Sequence, residues 1–239
     1  CLVPWLQTTA TAKTPCVMLS GTTWMQEIVP LIISQGDPEL VDTVPNWDRV
    51  PWLEETRACD LNLDQRPSPR VFITHFKYDM MSTVCVFSLL FKVIYVMRNP
   101  RDAFTSYSHF SRMVSFLIHI CNDLFSSLIF VVFGSWFDHV KGWLSVGEQQ
   151  HIMYISYEQM ILVRRLQIQL KIPLCLSLVL YHTKKMNSHD AFNLSLYVEP
   201  LMFSIVGDWK NHLTVAEAEY FDEFYQKKMQ HVKHTFDWD

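Results

Sequence analysis

The run Ser20-Gly21-Thr22-Thr23-Trp24 sets a glycine and two hydroxyl residues between two dissimilar segments. Before it lies a short apolar stretch of strand character, Cys16-Val17-Met18-Leu19; after it, Met25-Gln26-Glu27-Ile28-Val29 can start a helix. A strand, a tight turn and a helix in that order aim the backbone N–H groups of the turn and of the first helical turn at one point. The ligand that suits that point is an anion, most often a phosphate. The nucleotide-hydrolysing version of such a loop carries Lys-Ser or Lys-Thr after its last glycine. Here Gly21 is followed by Thr-Thr-Trp. The loop therefore suits ATP hydrolysis or kinase chemistry poorly and points to another phosphorylated ligand.

The rest of the chain alternates strand and helix signals. Val71-Phe72-Ile73-Thr74 is a β-rich run ending at His75, and Lys92-Val93-Ile94-Tyr95-Val96-Met97 is nearly continuous in apolar character. Runs of the second kind suit a parallel sheet covered on both faces. It stops at Arg98-Asn99-Pro100, where the proline fits the first turn of a following helix. Ile152-Met153-Tyr154-Ile155-Ser156 reads as another strand, followed by Tyr157-Glu158, and residues 102–112 and 136–144 read as helices. The order predicts an α/β single domain with a central parallel sheet flanked by helices and a P-loop-like phosphate-binding strand-loop-helix. Ligands of such sheets bind beyond the carboxyl ends of the strands. Ser20, His75, Arg98 and Tyr157 each follow a predicted strand, so all four can face one crevice.

Composition agrees with one sizeable core. The 239 residues are 49% apolar and 14% aromatic, which excludes disorder, and with 6 glycines the chain is no fibre. A net charge of −4 gives no reason to expect nucleic acid. Cys1, Cys16, Cys59, Cys85, Cys121 and Cys175 show no metal-ligand spacing, so they read as thiols of a reducing, cytoplasmic compartment, and no metal is expected. Residues 1–13 lack the basic start and apolar core of a secretory signal, and Cys1 is not an initiator Met. Residues 1–16 are taken as an atypical or truncated N-terminal segment and 17–239 as the domain. The apolar stretch 114–137 is long enough to span a bilayer, but it is interrupted by His119, Asn122 and Asp123. A central charge there costs about 2.5–3.5 kcal/mol, so a buried core helix is expected and no membrane association.

Six blocks carry a resemblance: SGTTW at 20–24, SPRVFITH at 68–75, KVIYVMRNPRDAFTSY at 92–107, FGSWFDHVKGW at 133–143, ISYEQM at 155–160 and GDWKNHLTVAEAE at 207–219. In this order they resemble the cytosolic sulfotransferases, which move a sulfonate group from PAPS (3′-phosphoadenosine 5′-phosphosulfate) to a hydroxyl or amine. VPWLE at 50–54 and the last two tryptophan-bearing blocks lean toward the hydroxysteroid branch.

The resemblance implies roles. Ser20, Gly21, Thr22, Thr23 and Trp24 would cradle the 5′-phosphate, with Trp24 near the adenine. Arg98 and Ser106 would hold the 3′-phosphate, a guanidinium fork and a hydroxyl being well matched to phosphate oxygens. Tyr157 and Met186 would lie on the adenine side, though residues 181–186 match loosely. His75 would be the general base for the acceptor hydroxyl, Phe76 and Phe110 would line a lipophilic acceptor pocket, and no metal is called for. Lys210, Thr214, Val215 and Glu219 resemble the family's dimerisation motif and imply a homodimer. Taken singly, each residue has a plainer reading: His75 a structural hydrogen-bonder, Arg98 a surface cation, Tyr157-Glu158 a strand cap, the aromatics core.

Two departures stand out. The family's loop has a lysine just before Ser-Gly, where this chain has Leu19, and its Arg-Lys-Gly triplet before Gly-Asp-Trp is here Met202-Phe203-Ser204. The first removes a donor to the bridging oxygen, the second two phosphate contacts. Lys77, two residues after His75, is a further cation that the sequence does not place. Two readings follow: a sulfotransferase acting on a hydroxysteroid or other lipophilic alcohol or phenol, and a catalytically impaired relative that binds nucleotide or dimerises. A third, an unrelated P-loop enzyme or membrane-associated protein, leaves blocks 92–107 and 207–219 without a role.

Overall fold

Strand β1, Val93–Met97, lies parallel to strand β2, Ile152–Ser156, with Val93 opposite Ile152 and Met97 opposite Ser156. The structure is a computed structural model that describes residues 21–54, 66, 68–81, 93–113, 134–146, 152–162, 205–236 and 238. Every residue of β1 is buried, as its unbroken apolar run requires. Side-chain alternation divides it between two cores. Val93, Tyr95 and Met97 join Phe104, Trp136, Phe137, Val140, Trp143, Phe221, Tyr225 and Met229 on one face. Ile94 and Val96 join Met25, Val29, Ile32, Tyr157 and Met160 on the other. The described residues thus form a parallel pair of strands between helical layers, the α/β arrangement expected.

The helices are α1 (Thr22–Ile33), α2 (Glu39–Thr43), α3 (Asn46–Arg49), α4 (Pro100–Met113), α5 (Trp136–Leu144) and α6 (Val215–Met229). Pro100 opens α4, where its missing N–H costs nothing. Thr214 caps α6 through a capping box with Glu217: Glu217 N–H donates to the Thr214 hydroxyl, and Thr214 N–H donates to the Glu217 carboxylate at 2.8 Å. Pro30 sits inside α1 and cannot donate to the carbonyl of Gln26. Arg49 fills that gap. Its Nε and Nη2 donate to the Gln26 carbonyl at 3.3 and 3.2 Å, Nη1 donates to the carbonyls of Val41 and Val44, and Nη2 pairs with Glu27. One buried guanidinium therefore ties α1 to α2 and α3.

The run Val71–Thr74 differs from expectation. Among the described residues it forms one parallel bridge, Ile73 to Trp52, with Ile73 N–H donating to Pro51 O at 3.0 Å and Leu53 N–H to Ile73 O at 2.9 Å. Pro51 has no N–H to carry the ladder back toward Val71, so the segment is extended and buried without becoming a strand. The six cysteines, Leu19, Ser20, residues 114–133, Met186 and residues 202–204 lie outside the described residues. Among those described, no helix is long and apolar enough to cross a membrane.

Candidate active site

Gly21 caps α1 with φ 68°, in the left-handed region, and the helix begins at Thr22, three residues earlier than its apolar periodicity suggests. Among the described residues no side chain caps this end. The glycine is required twice over. Its backbone conformation disfavours a side chain, and a Cβ there would stand 3.0 Å from Cδ2 of Tyr157. Tyr157 opens the helical residues 157–162 directly after β2, just as Arg98 directly follows β1. In-register pairing of the strands makes these two residues neighbours, and the Arg98 guanidinium lies 4.5 Å from the Tyr157 ring centroid. Trp24 stands 6.0 Å from the same ring, tilted by 54°. Gly21, Trp24, Arg98 and Tyr157 thus converge at the carboxyl ends of the strands, where a helix N-terminus and a cation meet. Thr22 is half-buried and Thr23 exposed in the same turn.

The second group surrounds His75. Its ring stacks on Trp52 at 4.6 Å, and its backbone N–H donates to the Glu54 carboxylate. Thr74 Oγ1 donates to the same Glu54 oxygen at 2.9 Å, and His75 Nδ1 lies 3.9 Å from it. From α5, His139 Nε2 lies 3.0 Å from the His75 carbonyl while its Nδ1 lies 2.9 Å from the Tyr95 hydroxyl. A carbonyl only accepts, so Nε2 carries the proton and Nδ1 accepts from Tyr95: His139 is a neutral imidazole in a defined tautomer. Trp143 Nε1, one helical turn along, donates to the Phe76 carbonyl at 3.2 Å. Burial lowers the His75 pKa to about 4, with help from neighbouring His139, and burial lowers His139 to about 4 as well. His75 is held uncharged, and Phe76 is half-buried beside it. The Lys77 side chain runs over Gly134, where it leaves no room for a Cβ.

The third group joins α4 to the C-terminal block. Asp102, 1% exposed, accepts from Gly207 N–H at 2.7 Å and from Trp209 N–H at 3.0 Å. Arg101 pairs with Asp222 and lies over the rings of Trp209 and Phe221 at 4.6 and 5.2 Å. Ser106 sits half-buried in α4, six residues after Pro100 and hence about 9 Å along the axis. Phe110 is in the same helix, its side chain outside the described set. Asn99 N–H donates to Glu158 Oε1 at 3.0 Å, and burial raises the Glu158 carboxyl pKa. Of the motif on the last helix, Thr214 is its cap, Lys210 and Glu219 are exposed, and Val215 is 75% exposed.

Sequence reasoning missed Glu54, Asp102, His139 and Trp143 as positioning residues. Only the spacing of His139 and Trp143, four apart on one helical face, carried a signal, and it served equally for core packing.

Residues 17–233 match the family model of the sulfotransferase domain, and the chain belongs to that family. It is 38% identical over 243 residues to the 3-alpha-hydroxysteroid sulfotransferase of Cavia porcellus, covering 92% of this chain and 84% of that protein. It is equally 38% identical over 243 residues to sulfotransferase 2B1 of Mus musculus, covering 92% of this chain and 71% of that one. The crystal structure of retinol dehydratase in complex with androsterone and the inactive cofactor PAP superposes with a TM-score of 0.69, over 99% of this chain and 88% of that one. At 15% identity, what those two share is the fold.

Proposed function

We propose that this chain is a PAPS-dependent sulfotransferase that transfers sulfonate to the hydroxyl of a lipophilic acceptor of the hydroxysteroid class. The observation that carries the reading is the meeting of Gly21, Arg98 and Tyr157 beyond the ends of β1 and β2. The fit to a bisphosphorylated nucleotide rests on that geometry: a left-handed glycine packed close to an aromatic ring, a helix N-terminus and a guanidinium. PAPS supplies the sulfonate together with two anionic handles. Ser20 to Trp24 hold the 5′ handle through backbone N–H groups, Arg98 and Ser106 hold the 3′ handle, and Trp24, Tyr157 and Met186 border the adenine. Phe76 and Phe110 contribute to the acceptor pocket.

His75 accepts the acceptor's hydroxyl proton on its imidazole. Its neutrality supports this role, because a protonated ring has no lone pair to offer. A pKa of about 4 is low for a base working near pH 7, and an anionic ligand placed nearby raises it toward the working range. Glu54, His139 and Trp143 hold the His75–Phe76 backbone in place and are positioning residues.

Leu19 and Met202-Phe203-Ser204 favour a second reading, a relative with weak or no turnover that retains nucleotide binding. In either case the chain is read as a cytoplasmic homodimer through Lys210, Thr214, Val215 and Glu219, supported by the apolar Val215 standing in solvent. Calorimetric titration with adenosine 3′,5′-bisphosphate tests the cofactor site. Micromolar or tighter binding that is lost in Arg98→Ala is expected. A folded chain that binds none overturns the cofactor assignment for both readings.

A further inference from the structure

Below the Ser106 level of α4, one side-chain cluster belongs to none of the groups above. His109 of α4 meets Asp208 and His212 of the Gly-Asp-Trp turn, and one ligand atom from each of the three lies within 4.8 Å of the others. The rings of His109 and His212 are perpendicular, with centroids 4.7 Å apart. His212 Nε2 is 3.1 Å from Asp208 Oδ2. Two donors bound at about 2.0 Å to a tetrahedral ion stand about 3.3 Å apart, so this edge already has the required length.

The surrounding bonds arrange the cluster in advance. Asp102, seven residues before His109 and hence on the same side of α4, holds the turn through Gly207 and Trp209. Asn211 Nδ2 donates to Asp208 Oδ1 at 2.9 Å, which orients the carboxylate and leaves Oδ2 on the histidine side. His109 and Asp208 are half-buried while His212 is exposed, which supplies a route in from solvent.

We propose that His109, Asp208 and His212 form a site for one borderline transition-metal ion, Zn²⁺ or Co²⁺ in kind, that staples α4 to the turn preceding α6. Two imidazoles and a carboxylate select such an ion over Ca²⁺ or Mg²⁺, and three protein ligands leave a fourth position for water. The ion displaces the proton between His212 and Asp208, and a rotation of the His109 ring closes the longest edge. The site lies within one turn of Ser106, so metal occupancy stiffens the helix on which that hydroxyl is carried.

The test is titration of the tag-free, reduced chain with Co²⁺, followed by visible absorption. One ion per chain is expected, with a tetrahedral ligand-field spectrum and no thiolate charge-transfer band. His109→Gln, Asp208→Asn and His212→Gln should each weaken binding at least tenfold, and Zn²⁺ should raise the melting temperature of the parent chain but not of these variants. His109→Cys should retain the ion and gain a thiolate band, which separates loss of a ligand from loss of fold. Unchanged binding in the His109→Gln/His212→Gln chain would move the ion to the cysteines and overturn the assignment, as would the absence of stoichiometric binding.

Discussion

Arg98 and Tyr157 are neighbours because the strands they follow are paired in register, Met97 against Ser156, and the guanidinium then has the Tyr157 ring 4.5 Å away. The sheet thus delivers a cation and an aromatic face to one edge at no cost beyond its own hydrogen bonds. An arginine here offers a planar fork as well as charge. Arg98→Lys keeps the charge and loses the fork. Its affinity for adenosine 3′,5′-bisphosphate should fall about tenfold or more, or about 1.4 kcal/mol, with the urea midpoint nearly unmoved. Equal binding by the two proteins in calorimetry would show that Arg98 does not touch phosphate.

Leu19 is where the loop departs from its family. Losing one donor to a developing oxyanion costs on the order of 10²–10³ in rate. Leu19→Lys should therefore raise transfer of labelled sulfonate from PAPS to a 3-hydroxysteroid by about that factor. If the chain that also carries Met202→Arg, Phe203→Lys and Ser204→Gly still transfers none, the catalytic reading fails and nucleotide binding remains.

The paired histidines set an acid limit on stability. Both are held neutral in the fold with pKa values of about 4, against 6.5 unfolded. Between those values the unfolded chain binds protons that the folded chain refuses, so stability rises with pH across the window and falls as pH drops through it. The slope approaches about 1.4 kcal/mol per pH unit for each proton. Glu158, raised by burial, acts in the opposite sense above pH 4.5. Urea unfolding at pH 7, 5.5 and 4.5 should show the fall. His139→Phe should remove one proton from the slope while lowering stability at pH 7, since Tyr95 and the His75 carbonyl lose their partner. A pH-independent midpoint would contradict the buried neutral pair.

Arg49 is buried against Glu27 and four backbone contacts. Arg49→Met leaves the Glu27 carboxylate, 7% exposed, without its counter-charge. A cost of about 3–5 kcal/mol is expected, and Arg49→Met/Glu27→Gln should recover part of it. If the single and double variants unfold at the same urea concentration, the ion pair is not what matters at this site.

Thr214 and Val215 test capping and association. Thr214→Ala removes the capping box and should cost about 1 kcal/mol of stability, with some weakening of the proposed subunit contact to which Thr214 belongs. Val215→Glu adds an acidic residue to the first turn of α6, which the helix tolerates well, and places a charge at the proposed contact. Sedimentation should show it monomeric with monomer stability intact. A dimer that survives Val215→Glu locates the interface elsewhere.

Local pattern was enough for the sheet and for the turn and helix that begin at Gly21. An unbroken apolar run makes β1, Pro100 dates the start of α4, and a glycine between two short segments makes the turn at Gly21. Each is decided by residues within one or two turns of chain, so the sequence by itself determined them, and with them the fold class and the placing of Arg98 and Tyr157 at strand ends. The environment of His75 was beyond such reasoning. His139 reaches its carbonyl across 64 positions and Glu54 its N–H across 21, while Asp102 grips Gly207 across 105. Contacts at that range are chosen by which faces pack together and which buried polar groups need partners, and no period or motif records the choice. Among the described residues Val71–Thr74 keeps one bridge, because its neighbour Pro51 lacks the N–H to continue that ladder. The sequence marked His75; only the tertiary structure supplied the burial and the neighbouring imidazole that keep it uncharged.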